Sequence, residues 1–501
     1  DYAHYLATNV YATYGGNFLK KHNYKVTAGF NYETKYMKTN SAYGYNLLSE
    51  TLNDFNLIGE DSEGERRMEI KGGQNEYALA GYFGRINYDY DGKYLVEFSG
   101  RYDGSSRFSS KDRWGFFPSA SVGWRLSEES FLSSARSWLS NLKVRYSYGN
   151  LGNQQVGYYD YLRTINIGTQ SYLFGDKLPS SASISAPVSS NLTWETVEHH
   201  NIGLDASFFN NRLTFTGEAY IRNTKDMLTA GISLPATYGT SSPRMNSADM
   251  QTKGYELSLG WQDMFKLAGK PFSYQVNLTF NDYTSEITKF NNPEKAFAKG
   301  YYEGMRIGEI WGYHIDGLFA TDEEAASYEV DQRRVNDIIN SSSGALKGLH
   351  AGDLRFADLD GDNIISTGEN TVDNPGDRRI IGNSEPRYQY GANLAFQWYG
   401  FDFSVFFQGI GRMDWYPAHE AELFWGPFNR AYATFLPKNF LEQCWSEENP
   451  NAYFPRPRAY VAYDNMGDQC RELTAKNDRY LQNIGYCRLK NLTVGYTLPK
   501  N

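Results

Sequence analysis

The chain has 501 residues, a formal net charge of −9 and an aromatic content of 16%. Its mean hydropathy is −0.60, and no stretch of about 20 apolar residues occurs, which excludes a transmembrane helix. The acidic balance, without any cluster of lysine and arginine, argues against nucleic-acid binding. Three cysteines are too few for a disulfide scaffold and lack the spacing of zinc ligands.

Alternation of apolar and polar residues with a period of two runs through most of the chain and predicts β-strands. Tyr94, Val96 and Phe98, for example, share one face of a predicted strand, while Glu97 and Arg101 share the other. In chain order, the predicted strands lie near residues 2–14, 23–34, 76–90, 93–103, 113–126, 141–150, 198–209, 212–224, 253–262, 272–285, 385–398, 401–411 and 484–498. The sequence therefore predicts an all-β protein.

The connections between these strands alternate in length. Asp91-Gly92, Asn210-Asn211 and Tyr399-Gly400 are typical of tight turns. The long connections are 35–75, 150–197, 225–252, 286–384 and 412–483, with 104–112 the short exception. This alternation predicts an up-and-down antiparallel meander with its long loops at one end.

Two architectures fit such a meander, a soluble β-sandwich and a transmembrane β-barrel. Strands of about 10 residues match the tilted span of an outer membrane. The predicted polar faces carry full charges such as Lys143, Arg145 and Glu218, and aromatic residues such as Trp124 and Trp398 recur at strand ends. These features favour a barrel that contacts outer-membrane lipid. A surface or secreted soluble β-protein that binds glycans is the alternative.

The odd strand count indicates that part of the barrel is missing, because bacterial single-chain barrels have an even number of strands. The segment Asp1–Val10 has neither the basic region nor the apolar core of a signal peptide. We therefore expect the chain to be a piece of a longer protein, and we expect that it does not insert into a membrane alone.

Several strings resemble the SusC/RagA-like TonB-dependent outer-membrane transporters of Bacteroidota. They include RYDGSSRF at 101–108, WGFFPSASVGWR at 114–125, YGNLGNQ at 148–154, GYHIDGLF at 312–319, GDLRFADLDGD at 352–362 and LKNLTVGYTLPK at 489–500. The resemblance implies that residues 1–501 are part of a 22-stranded barrel in the outer membrane, without the family's N-terminal plug and final strands.

The same resemblance implies partners and a function. Family members import oligosaccharides or peptides together with a SusD-like surface lipoprotein that acts as a lid, and they contact TonB through the plug. The long extracellular loops, 286–384 and 412–483 above all, would face that lid. Uptake of an iron–siderophore or cobalamin complex on the same architecture is the alternative that the loops leave open.

One loop motif has the spacing of a calcium-binding EF-hand loop. Counting Asp358 as position 1, carboxylates follow at Asp360, Asp362 and Glu369, and Ile364 would add a backbone carbonyl. Asn363 stands where a left-handed turn is needed, and Ile365 stands at the hydrophobic position 8. We expect a structural Ca²⁺ ion here, and an Asx-rich turn without an ion is the alternative.

Cysteine and aromatic residues in the last long loop give two further candidates. Cys444 and Cys470 flank a proline-containing segment and could form a disulfide on the cell surface, although free thiols or a pairing with Cys487 fit as well. The segment 412–435 is rich in aromatic and planar polar residues, which stack on and hydrogen-bond sugars. The candidate substrate contacts are Trp415, Tyr416, Trp425, Asn429 and Arg430, and the alternative is packing within the loop.

No arrangement of catalytic residues stands out. The sequence has no Ser/His/Asp, Cys/His or HExxH pattern, and no glycine-rich phosphate loop leads from a strand into a helix. We therefore expect neither an enzyme nor an organic cofactor.

Overall fold

The computed structural model describes residues 1–498 except 50, 53, 176, 190–191, 231–236, 238, 240–241, 337–346, 419–420, 431, 433, 435 and 464–470. Within the described residues, thirteen strands form one antiparallel sheet, as predicted. They are β1 Tyr2–Phe18, β2 His22–Gly44, β3 Met68–Tyr90, β4 Tyr94–Ser105, β5 Trp114–Arg125, β6 Leu139–Asn153, β9 Glu195–Phe208, β10 Leu213–Ala230, β11 Arg244–Leu267, β12 Lys270–Lys289, β17 Arg387–Trp398, β18 Phe401–Arg412 and β21 Tyr486–Tyr496. Their order in the sheet follows the chain.

Outside the large sheet, the strands that the structure describes lie in the connections and form four two-stranded sheets. These strands are β7 Ile165–Thr169, β8 Ser180–Ile184, β13 Glu309–Tyr313, β14 Ile315–Leu318, β15 Leu354–Phe356, β16 Arg378–Asn383, β19 Asp414–Trp415 and β20 Gln482–Asn483. The α-helices among the described residues are the short segments Asp322–Ser327 and Glu422–Trp425. None of the helices in the described part of the chain is long and apolar enough to cross a bilayer.

The two faces of the sheet differ in chemistry, because the pairing register keeps the sequence alternation in phase from strand to strand. On one face, Tyr82 pairs with Tyr102 and Ile86 with Phe98, and all four side chains are exposed. On the other face, Asn87 pairs with Glu97, and Glu97 binds the Asn87 amide and the Arg85 guanidinium at 2.5 Å each. Such a sheet is apolar on one side and charged on the other.

The tight turns have the predicted positions. Asp91 and Gly92 both have positive φ, as do Asn210 and Asn211, and Tyr399 and Gly400. Two successive residues with positive φ match the twist of the flanking strands. Asparagine, aspartate and glycine adopt that conformation most easily, which explains five of these six turn residues. Tyr399, with a φ of 52°, is the exception.

Several strands are longer than predicted. The hairpin of β2 and β3 continues past Thr34 until Gly44 pairs with Met68, so the long connection there is 45–67 rather than 35–75. The added segments 35–44 and 68–75 show no apolar alternation longer than four residues, and the second contains Gly72 and Gly73, which disfavour strands by propensity. Backbone pairing with the neighbouring strand overrides that local preference.

The chain divides into two compact units. One comprises 1–136, 141–203 and 220–249, and the other comprises 137–140, 204–219 and 250–501. In the first unit, Phe108, Phe117, Val156, Leu192 and Trp194 form a small buried cluster. In the second unit, the main buried cluster lies in the connections after β12 and after β18.

Candidate functional site

The two longest connections fold together into a single body, which we call the loop domain. It consists of the described residues of 290–386, between β12 and β17, and of 413–485, between β18 and β21. Both segments supply its core, whose buried members are Tyr313, Ile315, Val335, Leu354, Phe356, Ile365, Tyr416, Trp425, Phe428, Phe440, Cys444, Phe454, Val461, Ala462, Leu473, Ala475 and Tyr480. The two segments were predicted as separate loops, and that prediction did not include a shared hydrophobic core.

Backbone hydrogen bonds join the two segments as well. The amide of Tyr313 donates to the carbonyl of Lys476 at 2.8 Å, and the amide of Asp478 donates to the carbonyl of Tyr313 at 3.1 Å. The amide of Arg456 donates to the carbonyl of Gly352 at 2.9 Å. The two segments thus form one structure, held together by backbone hydrogen bonds as well as by the shared core.

The acidic turn adopts much of the predicted EF-hand-like conformation. Asn363 has a φ of 63°, in the left-handed region expected at position 6. Asp358 accepts hydrogen bonds from the amides of Gly361 at 2.7 Å and Asn363 at 2.9 Å. Ile365, at position 8, is completely buried. The turn is therefore fixed by its own side chains and anchored in the core.

The carboxylates that converge in this turn differ from the predicted set. One oxygen each from Asp358, Asp360 and Asp377 lie within 4.8 Å of one another. Asp362 instead accepts a hydrogen bond from the amide of Ile364 at 2.7 Å, and Glu369 is exposed. Asp377 is thus the candidate third carboxylate, in place of Asp362 and Glu369, because the chain returns to the turn at Asp377, outside the twelve-residue motif.

Electrostatics in the turn favour a bound positive charge. Burial raises the pKa of Asp377, and the negative charges of Asp360 and Asp358 raise it further, against hydrogen bonds from backbone amides. Burial alone would also raise the pKa of Asp358, but backbone amides led by Asn363 lower it overall. Three carboxylates held this closely repel one another unless a cation or a proton neutralises part of their charge.

Three of the five aromatic-loop candidates are buried in the interior of the loop domain. Trp425 is fully buried, and its indole donates to the carbonyl of Pro417 at 3.1 Å. The hydroxyl of buried Tyr416 donates to the carbonyl of Leu473 at 2.8 Å, and Asn429 is 1% exposed. These three residues pack the core, which was the alternative interpretation of the aromatic loop.

The other two candidates lie at the surface. Trp415 is 40% exposed. Arg430 donates a hydrogen bond to the hydroxyl of Tyr463 at 2.8 Å, and its guanidinium lies 4.6 Å from the centre of the Tyr463 ring. Both side chains are accessible to a ligand, since a stacked guanidinium keeps donors free to face outward.

The cysteines take different environments. Cys444 is buried in the loop-domain core and pairs with no cysteine among the described residues, and burial raises the pKa of its thiol to about 11. Its predicted disulfide partner, Cys470, lies outside the described residues, so that pairing stays a prediction. Cys487, the third cysteine, is an exposed free thiol in β21.

A second surface feature lies in the connection between β6 and β9. Strands β7 and β8 pair Ile165 with Ile184 and Ile167 with Ala182, which places these four side chains on one face of the hairpin. Ile167 is 82% exposed, and Phe174 near its tip is 81% exposed. We call this surface the apolar hairpin. It was not predicted, because the sequence shows no alternation longer than a few residues there.

Comparison with known proteins gives consistent matches. Residues 1–501 match the family described as TonB dependent receptor-like, beta-barrel. The chain is 28% identical over 503 residues to TonB-dependent receptor P3 of Formosa agariphila, covering 98% of this chain and 45% of that protein. It is 36% identical over 224 residues to TonB-dependent receptor SusC of Bacteroides thetaiotaomicron, covering 44% of this chain and 22% of that protein. The chain thus spans less than half the length of these relatives.

Solved structures show the same fold. The RagAB peptide transporter structure superposes with a TM-score of 0.73 at 22% sequence identity, covering 98% of this chain and 48% of that chain. A second RagAB structure, the peptide importer in its closed-closed state, gives a TM-score of 0.74. At this identity the match concerns the architecture of the strands and their connections.

Proposed function

The chain belongs to the TonB dependent receptor-like β-barrel family of outer-membrane proteins, and from this premise we propose that it forms part of a TonB-dependent importer. The proposed cargo is oligosaccharides or peptides, taken up together with a SusD-like surface lipoprotein. We infer no enzymatic role, since the relatives it matches are named as receptors.

The observation that carries the proposal is the chemical difference between the two faces of the sheet. The exposed apolar face suits contact with lipid, and the charged face suits an aqueous lumen. Glu97 with Arg85 illustrates the lumen-type face, and Phe98 with Phe116 illustrates the lipid-type face. A sheet built this way supports passage of a polar solute through a membrane.

Uptake by cells tests the proposal. A strain that lacks the gene is complemented with the full-length gene, and labelled oligosaccharide and peptide mixtures are supplied with and without functional TonB. We expect the gene to restore uptake of one mixture only when TonB is functional. Restored uptake of only an iron–siderophore or cobalamin would contradict the proposed cargo. Recovery of the protein in the soluble fraction would contradict the importer itself and favour a soluble glycan-binding protein.

The apolar hairpin supports the lipoprotein partner. An exposed apolar patch of this kind marks a contact surface for another macromolecule, and the opposite face of the hairpin carries polar residues such as Asn166 and Ser183. We place the hairpin on the outer side of the membrane, because it lies in one of the long connections. A surface lipoprotein is the partner that this location makes available.

Co-purification of the lipoprotein tests this contact. Ile167→Asp in the full-length protein places a charge on the apolar face, and we expect at least a several-fold loss of co-purified lipoprotein. Asn166→Asp adds the same charge on the polar face and serves as the matched control. Equal recovery with both variants would exclude the hairpin as the lipoprotein contact.

Trp415 and Arg430 are the residues that we propose to contact cargo. An exposed indole can stack on a sugar ring, and a guanidinium can bind hydroxyl or carboxylate groups. We expect Trp415→Ala to lower uptake of the true cargo several-fold without lowering the amount of protein in the outer membrane. Unchanged uptake in this variant would show that the Trp415 indole does not contact cargo.

We further propose that the acidic turn binds a structural Ca²⁺ ion through Asp358, Asp360 and Asp377, with the Ile364 carbonyl as an additional ligand. Oxygen ligands from short side chains suit this hard cation. Its role would be to neutralise the three carboxylates and so to hold the turn against the core residue Ile365.

A further inference from the structure

A cluster of three ionisable side chains lies in the interior of the loop domain and takes no part in the function proposed above. Asp353 comes from the first segment, and Arg458 and Glu472 come from the second. Arg458 Nη2 donates to Asp353 Oδ2 at 2.9 Å. The side chain of Asp353 is 0% exposed and that of Arg458 is 5% exposed, and Glu472 is also buried. The cluster therefore joins the two segments away from water.

Glu472 also reaches across between the segments. Its Oε1 accepts the backbone amide of Leu354 at 2.5 Å, and this amide follows Asp353 directly in the chain. The amide of His350 donates to Asp353 Oδ2 at 2.9 Å. Both carboxylates are thus held by backbone donors of the first segment, which fixes them close to one guanidinium.

The charges in this cluster do not balance if both carboxylates are ionised. Among the described residues, Arg458 is the only cationic side chain that hydrogen-bonds either carboxylate, and Asp353 Oδ1 together with Arg458 Nε and Nη1 makes no hydrogen bond. In the described part of the chain, the other charged or titratable groups that act on the cluster are His350, Arg456 and Tyr480. Arg456 and His350 are partly exposed, so water screens their charges.

An unbalanced negative charge in a dry core is costly, and a carboxyl group avoids that cost by keeping its proton. Burial raises the pKa of Glu472 to about 8, and the charge of Asp353 adds to the effect. Burial likewise raises the pKa of Asp353, against the attraction of Arg458. Both shifts have the direction that the geometry requires.

We propose that Asp353, Arg458 and Glu472 form a buried proton-binding site that stabilises the association of the two segments of the loop domain. Loss of the proton weakens that association. The two carboxylates share one proton and one guanidinium when the segments are joined. Deprotonation leaves a second negative charge in the core, and separation of the segments relieves it by admitting water.

The sign of the pH dependence follows from linkage. The proton is bound more tightly in the joined state, so its contribution to stability is complete below the ordinary pKa of a glutamate, near 4.5. That contribution falls as the pH rises from there through the pKa of the joined state, and it is lost above that value. The opening equilibrium should rise about tenfold per pH unit within this window.

Hydrogen exchange at the amide of Leu354 tests the proposal in the full-length protein, purified in detergent, without any cargo. After correction for the chemical exchange rate, we expect its protection to fall about tenfold per unit between about pH 5 and 8. Glu472→Gln keeps the acceptor for that amide but cannot ionise, so its protection should not change with pH. Glu447→Gln, at an exposed position in the same segment, should keep the wild-type slope.

Three results would overturn the proposal. They are protection in the wild type that does not change with pH, an unchanged slope in Glu472→Gln, and loss of protection at every pH in that variant. The wild-type slope decides whether a proton is bound, and the variant decides which residue binds it. Since no transport is measured, failure here is distinct from failure of the proposed import.

Discussion

His314 and Asp478 form a hydrogen bond across the two segments of the loop domain, with Nδ1 and Oδ2 2.5 Å apart. The same Asp478 oxygen accepts a hydrogen bond from Arg379 at 2.9 Å, and its other oxygen accepts the amide of Ile315 at 3.1 Å. One carboxylate of the second segment therefore binds three donors of the first segment.

Asp478→Ala should weaken the association of the segments by about 1–3 kcal/mol, the cost of leaving charged or buried donors without an acceptor.

Burial alone would raise the pKa of Asp478, but the hydrogen bonds from His314, Ile315 and Arg379 lower it overall. A carboxyl group with a lowered pKa stabilises the fold above its ordinary value near 3.8 and loses that effect as the pH falls through the lowered pKa. Hydrogen exchange at the Ile315 amide measures both effects. Equal protection in wild type and variant would contradict this role.

Gly352→Ala should disrupt the contact between the segments. A Cβ atom there would lie 2.5 Å from the Trp445 ring, and Gly352 has a φ of 83°. Gly348→Ala is the matched control, because Gly348 has a φ of 88° and nothing within 4 Å of its Cβ position. Both variants carry the strain of positive φ, so the difference between their free energies of unfolding isolates the clash, expected at about 1–3 kcal/mol. Equal destabilisation would show that the indole moves aside freely.

Trp425→Ala should destabilise the loop domain by about 3–5 kcal/mol, because it removes a completely buried indole from the shared core. Trp415→Ala removes the same side chain from the surface and should cost less than about 1 kcal/mol. Exchange of the Phe356 amide, which donates to Gln332 at 2.7 Å inside the domain, reports the stability of both. A similar cost for the two variants would contradict the assignment of Trp425 to the core.

Asp377→Asn should abolish binding of Ca²⁺ by the full-length protein, whereas Glu369→Gln should leave it nearly unchanged. The structure brings Asp377 to Asp358 and Asp360, while the sequence motif alone assigns Glu369 to the site. Titration calorimetry with Ca²⁺, and with Mg²⁺ as the competing cation, separates the two ligand sets. The reverse pattern would restore the EF-hand assignment, and no binding by the wild type would exclude the ion.

The strands and tight turns could be predicted because each depends on neighbours in the sequence. Alternation located all thirteen strands of the large sheet, and Asp91-Gly92 located one of its turns. Extensions such as 35–44 could not be predicted, since the partner strand and not the local sequence holds them. Alternation alone fits both a barrel and a sandwich. Strand length, charged faces and aromatic strand ends favoured the outer-membrane barrel, and the family resemblance pointed to the same assignment.

The candidate site was predictable only in part. The acidic turn and its left-handed Asn363 follow from residues within one motif. Asp377 lies beyond that motif, and Glu472 binds the Leu354 amide, next to Asp353, only because two distant segments fold together. A single sequence does not predict such a contact between distant segments. The abundance of aromatic residues in 412–435 was visible, but abundance does not distinguish a core that needs filling from a surface that binds sugars.

The division of the loop domain between two segments has a consequence for the order of its assembly. Residues 290–386 are synthesised first, and their apolar side chains, such as Leu354 and Phe356, have no complete cover until residues 413–485 arrive. Strands β17 and β18 lie between the two segments in the chain. The core of the loop domain can therefore close only after the second segment has been synthesised, and until then the first segment exposes apolar side chains that favour aggregation.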